Sequence, residues 1–281
     1  MQFAKYHALG NDYLVLPPGD RPLTPALVRR VCQRHHGVGA DGVLWGPLPA
    51  GAGPAADFGL RIFNPDGSEA EKSGNGLRIF ASYLWDAGLV GVAAFTVAIP
   101  AGVVTCQVFG PGREVQVQMG QVSFHSQAMP MSGPPREVLR EVIRPGEGMA
   151  FTYCAASLGN PHCVILHEQP SAAVARQYGP LIEQDPRFLR RTNVQFMQVL
   201  DWHNLQIEIW ERGAGYTLAS GSSATAAAAV AYRLGLCAPA VTVHMPGGTL
   251  QVQLTADFQA TLTGPVAKIC AGQLAPELLA A

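Results

Sequence analysis

Two short segments carry the residue types with the most chemical potential, Ser73-Gly74-Asn75-Gly76 and Ser220-Gly221-Ser222-Ser223. Each stands directly before an apolar run with the look of a buried helix, over 77–85 and 224–232. A helix start presents unpaired backbone N–H groups and the positive end of the helix dipole, which together hold a carboxylate. Glycine in the first turn lets a ligand come close to the backbone. Two such helix ends converging on one cleft would address both faces of one carbon while backbone amides hold its carboxylate. The competing reading of Ser73 and Ser220 is structural, because serine is among the best N-cap residues and contributes about 1 kcal/mol there.

Other motifs are weaker. Gly37-Val38-Gly39-Ala40-Asp41-Gly42 has the spacing G-x-G-x-x-G. It follows Arg34-His35-His36 where a dinucleotide site would follow a strand, and it precedes no helix pattern. His35, His36 and His162 lack metal-ligand spacing, and no His-Glu or Cys-His cluster points to zinc, so no metal is expected. The six cysteines, Cys32, Cys106, Cys154, Cys163, Cys237 and Cys270, are scattered without a C-x-x-C pair. They read as reduced, mostly buried thiols of a cytoplasmic protein.

The elements that must position the two serine segments occur twice. Leu9-Gly10-Asn11 recurs as Leu158-Gly159-Asn160, an offset of 149. Ile62-Phe63 recurs as Ile209-Trp210, Ser73-Gly74 as Ser220-Gly221 and Gly88-Leu89 as Gly235-Leu236, all at 147. Thr96-Val97 and Pro100-x-Gly102 recur as Thr242-Val243 and Pro246-x-Gly248, at 146. Matches in one order at nearly one offset predict two halves with the same fold. Both apolar runs stop at a glycine, Gly88 and Gly235, which accepts the left-handed conformation past a helix end. The segments 115–119, 205–210 and 250–254 alternate with period two and predict half-buried antiparallel strands. The architecture expected is α+β, two pseudosymmetric domains, each a mixed or antiparallel sheet curled around a central buried helix. The halves are 1–118 plus 265–281, and 119–264, with the proline-rich stretch 129–135 in or just past the crossing.

Composition agrees. A chain of 281 residues has room for two cores. Charged residues make up 14% against roughly 25% in an average soluble protein, and mean hydropathy is +0.14. Nineteen Lys and Arg against 20 Asp and Glu leave a net charge of −1, with no basic excess for nucleic acid. The start of the chain, Met1-Gln2-Phe3-Ala4-Lys5-Tyr6, has no signal-peptide pattern. The long uncharged stretch 87–112 is interrupted by Gly88, Gly91, Pro100 and Gly102, which predicts two strands and a turn, not a membrane span.

Taken together, certain blocks resemble the diaminopimelate epimerases, a family within a cofactor-independent racemase superfamily. The blocks are Leu9-Gly10-Asn11-Asp12-Tyr13, Gly37 to Gly42, Phe63-Asn64-Pro65-Asp66-Gly67-Ser68, Ser73-Gly74-Asn75-Gly76, Gly159-Asn160-Pro161-His162, Thr192-Asn193-Val194, Glu211-Arg212-Gly213-Ala214-Gly215 and Pro246-Gly247-Gly248. They cover almost the whole chain. The resemblance implies a two-domain fold, no cofactor, an amino-acid substrate, a homodimer, and conversion of LL- to meso-diaminopimelate in lysine biosynthesis. It also implies two cysteines, one before each central helix, of which one removes the α-proton and the other delivers a proton to the opposite face.

The chain departs from that pattern where it matters most. Ser73 and Ser220 stand at the two cysteine positions, Tyr216 replaces an acidic residue, and Ser223 replaces a glycine. A helix N-terminus brings a thiol to a useful pKa, whereas a serine hydroxyl starts far too high for a general base near neutral pH. The substrate set is better kept. Gly74, Asn75, Gly221 and Ser222 would hold the reacting carboxylate through backbone N–H groups. Asn11, Asn64, Asn160, Asn193, Glu211 and Arg212 would contact the remaining amino and carboxylate groups, Arg212 facing the anionic end. His162 and Glu211 match residues that tune the acid and base. Three functions follow: an epimerase impaired or altered by its serines, a non-catalytic amino-acid-binding relative, or a hydroxyproline-type dehydratase of the same superfamily.

Overall fold

The computed structural model describes residues 1–19, 21–49, 55–110, 114–146 and 148–280. The chain divides into two compact units, Met1–Gln118 with Thr263–Ala281, and Met119–Leu262. The first runs β1 (Gln2–Ala8), β2 (Asn11–Leu16), α1 (Pro25–Cys32), β3 (Gly42–Leu48), β4 (Phe58–Phe63), β5 (Glu69–Ala70), α2 (Gly74–Asp86), β6 (Phe95–Ile99), β7 (Gly102–Phe109) and β8 (Glu114–Gln121). The second runs β9 (Glu141–Gly146), β10 (Met149–Ser157), β11 (Pro161–Leu166), α3 (Ala172–Glu183), β12 (Asn193–Asp201), β13 (Asn204–Glu211), β14 (Gly215–Thr217), α4 (Gly221–Arg233), β15 (Ala240–Met245), β16 (Gly248–Leu254) and β17 (Gln259–Pro265). Then β18 (Ala267–Gln273) and α5 (Pro276–Ala280) complete the first unit.

The same pairing pattern occurs in both. β2 runs parallel to β3 with Tyr13 opposite Gly42, and β11 runs parallel to β12 with His162 opposite Asn193. β4 is parallel to β6, and β13 to β15. Each parallel pair is joined through a helix, as a parallel connection requires. The neighbours β1–β2, β3–β4 and β6–β7, and likewise β10–β11, β12–β13 and β15–β16, are antiparallel. The strand expected over 205–210 is thus antiparallel to β12 on one side and parallel to β15 on the other. The uncharged stretch resolves into β6 and β7, joined across Ile99 and Gly102 by a two-residue turn that β15 and β16 repeat across Met245 and Gly248.

Each central helix is enclosed. In α2, residues 74–82 and Leu84 are buried, and in α4 Gly221 and residues 223–231 are. Gly88 and Gly235 follow the two helices at φ 69° and 68°. α1 and α3 were not apparent in the sequence. α1 is eight residues long behind a Thr24 cap, and α3 carries Gly179 and Pro180 inside it, so neither shows a clean helical signature. α1 packs Leu27, Val28 and Val31 against Leu14, Leu16 and Val43, and α3 packs Ala175 and Ile182 against Phe151, Val194 and Phe196. Strands β2 and β11 are therefore buried along nearly their whole length, and 13–16 and 163–166 read as continuous apolar runs. Few positions remain for charge. Among the described residues no helix is long and apolar enough to cross a membrane.

Candidate active site

The start of α2 gathers one set of candidate residues. Ser73 is the N-cap, with extended backbone at φ −140° and ψ 118°, and its Oγ accepts the Gly76 N–H at 3.0 Å. That Oγ also lies 3.3 Å from the Tyr13 hydroxyl. Gly42, opposite Tyr13, makes room for the phenol, since a Cβ there would lie 2.6 Å from its Cε1. Gly74 and Asn75 are buried in the first turn. Asn75 Nδ2 donates to Asn11 Oδ1 at 3.0 Å, and Asn11 Nδ2 donates to Asp41 Oδ2 at 3.0 Å. Asn11 thus spends its Oδ1 and one of its two Nδ2 hydrogens within the protein. Asn64 is exposed at the end of β4, and its described hydrogen bonds stay within its own turn, Nδ2 donating to Ser68 Oγ at 3.0 Å.

This helix start is strongly positive. Arg78 is fully buried, and its Nη2 donates to Asn75 Oδ1 at 2.9 Å while Nε and Nη1 make no hydrogen bond. Burial pushes its guanidinium down to about 10, against the pull of Glu114. Lys72 is likewise lowered by burial, with Cys106 acting the other way. A buried cation beside a helix N-terminus favours an anion as its complement.

A second set gathers near the start of α4. Ser220 has the same extended backbone, φ −148° and ψ 124°, but makes no side-chain cap bond; its Oγ lies 3.5 Å from Ser222 Oγ. The two serines therefore differ, Ser73 being engaged as a cap and Ser220 not. Gly221 and Ser223 are buried, and Ser223 Oγ accepts from Gln195 Nε2 at 3.0 Å. His162 is fully buried on β11, Nε2 lying 3.1 Å from Asn160 Oδ1. Its Nδ1 and the Oε1 of Gln195 both lack hydrogen-bond partners. Burial pushes the imidazole down to about 3; Gln195 opposes this by favouring the protonated form, and Arg212 adds to the lowering. His162 is neutral at physiological pH.

The turn bearing Glu211 and Arg212 is held from two sides. Asn193 Nδ2 donates to Pro161 O at 2.9 Å and its Oδ1 accepts the Arg212 N–H at 3.0 Å. Buried Glu183, at the end of α3, accepts the Gly213 N–H at 3.1 Å and Trp210 Nε1–H at 2.7 Å. Glu211 is half-buried; Arg212 is exposed, with Nη1 donating to Arg190 O at 3.1 Å. Tyr216 donates to Glu208 Oε2 at 2.7 Å, and the Arg176 guanidinium stands 4.5 Å over its ring, so this departure from the family pattern has its own packed partners.

The cysteines supply no substitute thiolate near either serine. All six are free. Burial pushes Cys32 and Cys106 up to about 12 and Cys237 to about 11, and raises Cys154 and Cys163. Cys270 is exposed on β18. Among the described residues no group of three His, Cys, Asp or Glu is placed to hold a metal. Sequence reasoning missed Tyr13, Asp41, Arg78, Glu183 and Gln195 as site-building residues. The repeat holds a signal for one of them, because the offset of 149 that carries Asn11 to Asn160 also carries Tyr13 to His162.

Solved structures share this architecture. A hydroxyproline epimerase from Agrobacterium vitis, with bound trans-4-hydroxy-L-proline, matches at a TM-score of 0.71 and 16% identity, over 97% of this chain and 91% of that one. A methylitaconate-delta-isomerase matches at 0.62 and 12%, over 97% and 95%. The fold is thus the one that these epimerases and isomerases share. Sequence narrows this to one family. The profile described as diaminopimelate epimerase matches residues 3–125 and 154–269. "Diaminopimelate epimerase 2" of Nostoc sp. (strain PCC 7120) is 55% identical over 282 residues, covering 100% of this chain and 98% of that protein. The diaminopimelate epimerase of Pelotomaculum thermopropionicum is 40% identical over 280 residues, covering 97% and 98%. The chain belongs to the diaminopimelate epimerase family.

Proposed function

We propose that this protein is a cofactor-independent epimerase that interconverts LL- and meso-diaminopimelate by two-base proton transfer. Ser73 and Ser220 hold the acid and base positions, and turnover is slower than with cysteines there. The observation that carries the reading is full-length membership of the family at 55% identity to a named diaminopimelate epimerase. The positive first turn of α2 supports it, because the α-carbanion formed on proton loss places negative charge on the substrate carboxylate. Backbone N–H groups of Gly74, Asn75, Gly221 and Ser222 hold that carboxylate, and Arg212 meets the distal one. Asn64, Asn160 and Glu211 take the remaining polar groups. Asn11 and Asn193 act by holding Asn75 and the Arg212 turn. His162, kept neutral by burial, tunes the reaction without adding charge. A homodimer and a cytoplasmic location go with this reading and are checked by light scattering and cell fractionation.

The α-proton decides it. The parent and Ser73→Cys/Ser220→Cys are incubated with diaminopimelate in D₂O, and deuterium at the α-carbon is followed by mass spectrometry. Slow exchange by the parent and faster exchange by the double variant are expected; no exchange by either overturns the reading. The serines themselves favour a second reading, a relative that binds the amino acid without turnover. Tight calorimetric binding with no exchange in the parent supports it, and measurable exchange rejects it.

A further inference from the structure

We propose that Asp41 is a positioning residue: through Asn11 it fixes the direction in which Asn75 presents its side-chain amide to the bound amino acid. Four side chains form one hydrogen-bonded relay. Arg78 Nη2 donates to Asn75 Oδ1 at 2.9 Å, Asn75 Nδ2 to Asn11 Oδ1 at 3.0 Å, and Asn11 Nδ2 to Asp41 Oδ2 at 3.0 Å. A guanidinium only donates and an ionised carboxylate only accepts. With those groups at the two ends, each amide between them has one orientation that leaves no like groups facing. Turning Asn75 alone would set its NH2 against Arg78, turning Asn11 alone would set NH2 against NH2, and turning both would offend both ends.

Both ends are anchored. Arg78 sits in the interior with no described ion pair, and Glu114 acts on it at longer range. Asp41 is gripped from its other sides by the Asp12 N–H at 3.1 Å and by Arg34 at 2.7 Å, and its own N–H donates to Asp12 Oδ1 at 3.1 Å. The G-x-G-x-x-G segment thereby finds a role unrelated to phosphate. It is the tight turn from α1 to β3, where a Cβ on Gly37 would lie 2.1 Å from Arg30 O, and it delivers Asp41 to Asn11. The described bonds of Asn75 use one of its two Nδ2 hydrogens. The relay leaves the second for a ligand at the first turn of α2.

The inference rests on the diaminopimelate reading for its ligand, so the test has two readouts. Asp41→Ala removes the acceptor for Asn11, Asp12 N–H and Arg34 together. Asp41→Asn keeps an oxygen for Asn11 and Asp12 N–H but loses the Arg34 ion pair and turns an NH2 toward that exposed guanidinium, which keeps its bonds to Asp12. Calorimetric titration with meso-diaminopimelate measures affinity, and ¹⁵N-labelled protein reports hydrogen exchange of the Asn75 side-chain amide. Asp41→Ala is expected to weaken binding about ten-fold, the worth of one hydrogen bond, and to speed that exchange by a similar factor. Asp41→Asn is expected to recover both to within about three-fold. An Asn75 resonance unchanged in Asp41→Ala overturns the proposal. So does an Asp41→Asn variant as impaired as Asp41→Ala, which would reduce Asp41 to an ion-pair partner of Arg34. Failure of the parent to bind diaminopimelate overturns the substrate reading instead, and the Asn75 resonance alone then judges the relay.

Discussion

Ser73 and Ser220 occupy repeat-related positions, yet removing their hydroxyls should have unequal consequences for stability. Ser73 Oγ accepts the Gly76 N–H at 3.0 Å, and Ser73→Ala leaves that first-turn donor without its cap. The loss of a serine cap typically costs about 1 kcal/mol, within a range of roughly 0.5–2. For a chain of this size that is a fall in Tm of about 2–4 °C. Ser220 makes no cap bond and is 3% exposed, with its Oγ 3.5 Å from Ser222 Oγ, so Ser220→Ala removes only a weakly engaged hydroxyl. Its change should stay within about 0.5 kcal/mol. Urea unfolding of the parent and both variants measures the difference. Because the chain has two compact units, tryptophan fluorescence and far-ultraviolet circular dichroism are both followed, and free energies are compared where the two transitions coincide. Equal losses, or a larger loss at Ser220, would refute the assignment of capping to Ser73 alone. The same asymmetry extends to cysteine, a poorer acceptor than serine: Ser73→Cys should lower stability more than Ser220→Cys.

Further outcomes follow from particular contacts. In Glu183→Gln one oxygen must serve two donors that now use separate oxygens, so either the Trp210 or the Gly213 N–H faces an NH2 group. Denaturation should show a loss of about 1–3 kcal/mol, and calorimetry weaker diaminopimelate binding as the Arg212 turn loosens. Gly179→Ala would place a Cβ 2.5 Å from Trp210 Cβ, and the resulting overpacking, about 1–3 kcal/mol, outweighs the gain in helix propensity; a rise in Tm would contradict it. His162 has a folded pKa of about 3, below its unfolded value of 6.5, so its ring resonances should not move between pH 8 and pH 5. The unfolded chain takes up that proton first as the pH falls below 6.5. Stability should therefore decline from 6.5 toward 3, and less steeply in His162→Gln.

The wild-type cysteines are poor stand-ins for the missing thiols for a physical reason. A reactive thiolate needs exposure and a positive neighbour, and burial raises the pKa of five of the six here. Cys106 lies near enough to Lys72 for their charges to interact, one residue from Ser73, but it is 1% exposed and pushed up to about 12. The five buried cysteines thus supply no thiolate at the start of α2, where the Tyr13 hydroxyl lies 3.3 Å from Ser73 Oγ.

By itself the sequence determined the duplicated architecture, the two buried helices, the serines at their starts and the family. The helices are legible as apolar runs closed by a glycine, the strands as period two, the duplication as one offset between the halves, and the family as the residue blocks themselves. It did not reveal α1 and α3, because α1 is only eight residues long and because Gly179 and Pro180 in α3 are weak helix formers that tertiary packing overrides; Gly179 is there to let α3 lie against Trp210. Nor could it say which candidates touch which. Asn11 and Asn193 stand out in the sequence as candidate ligand contacts, and only the fold shows the protein partners that hold their amides, Asn75 and Asp41 for one and Pro161 and the Arg212 N–H for the other. Ser73 and Ser220 are the same residue at the same point of the repeat, and only the rotamer and neighbours make one a cap and leave the other without a cap bond. Periodicity is local and survives in one dimension. Hydrogen-bond direction and burial depend on partners far apart along the chain, and those partners meet only once the sheets have closed around their helices.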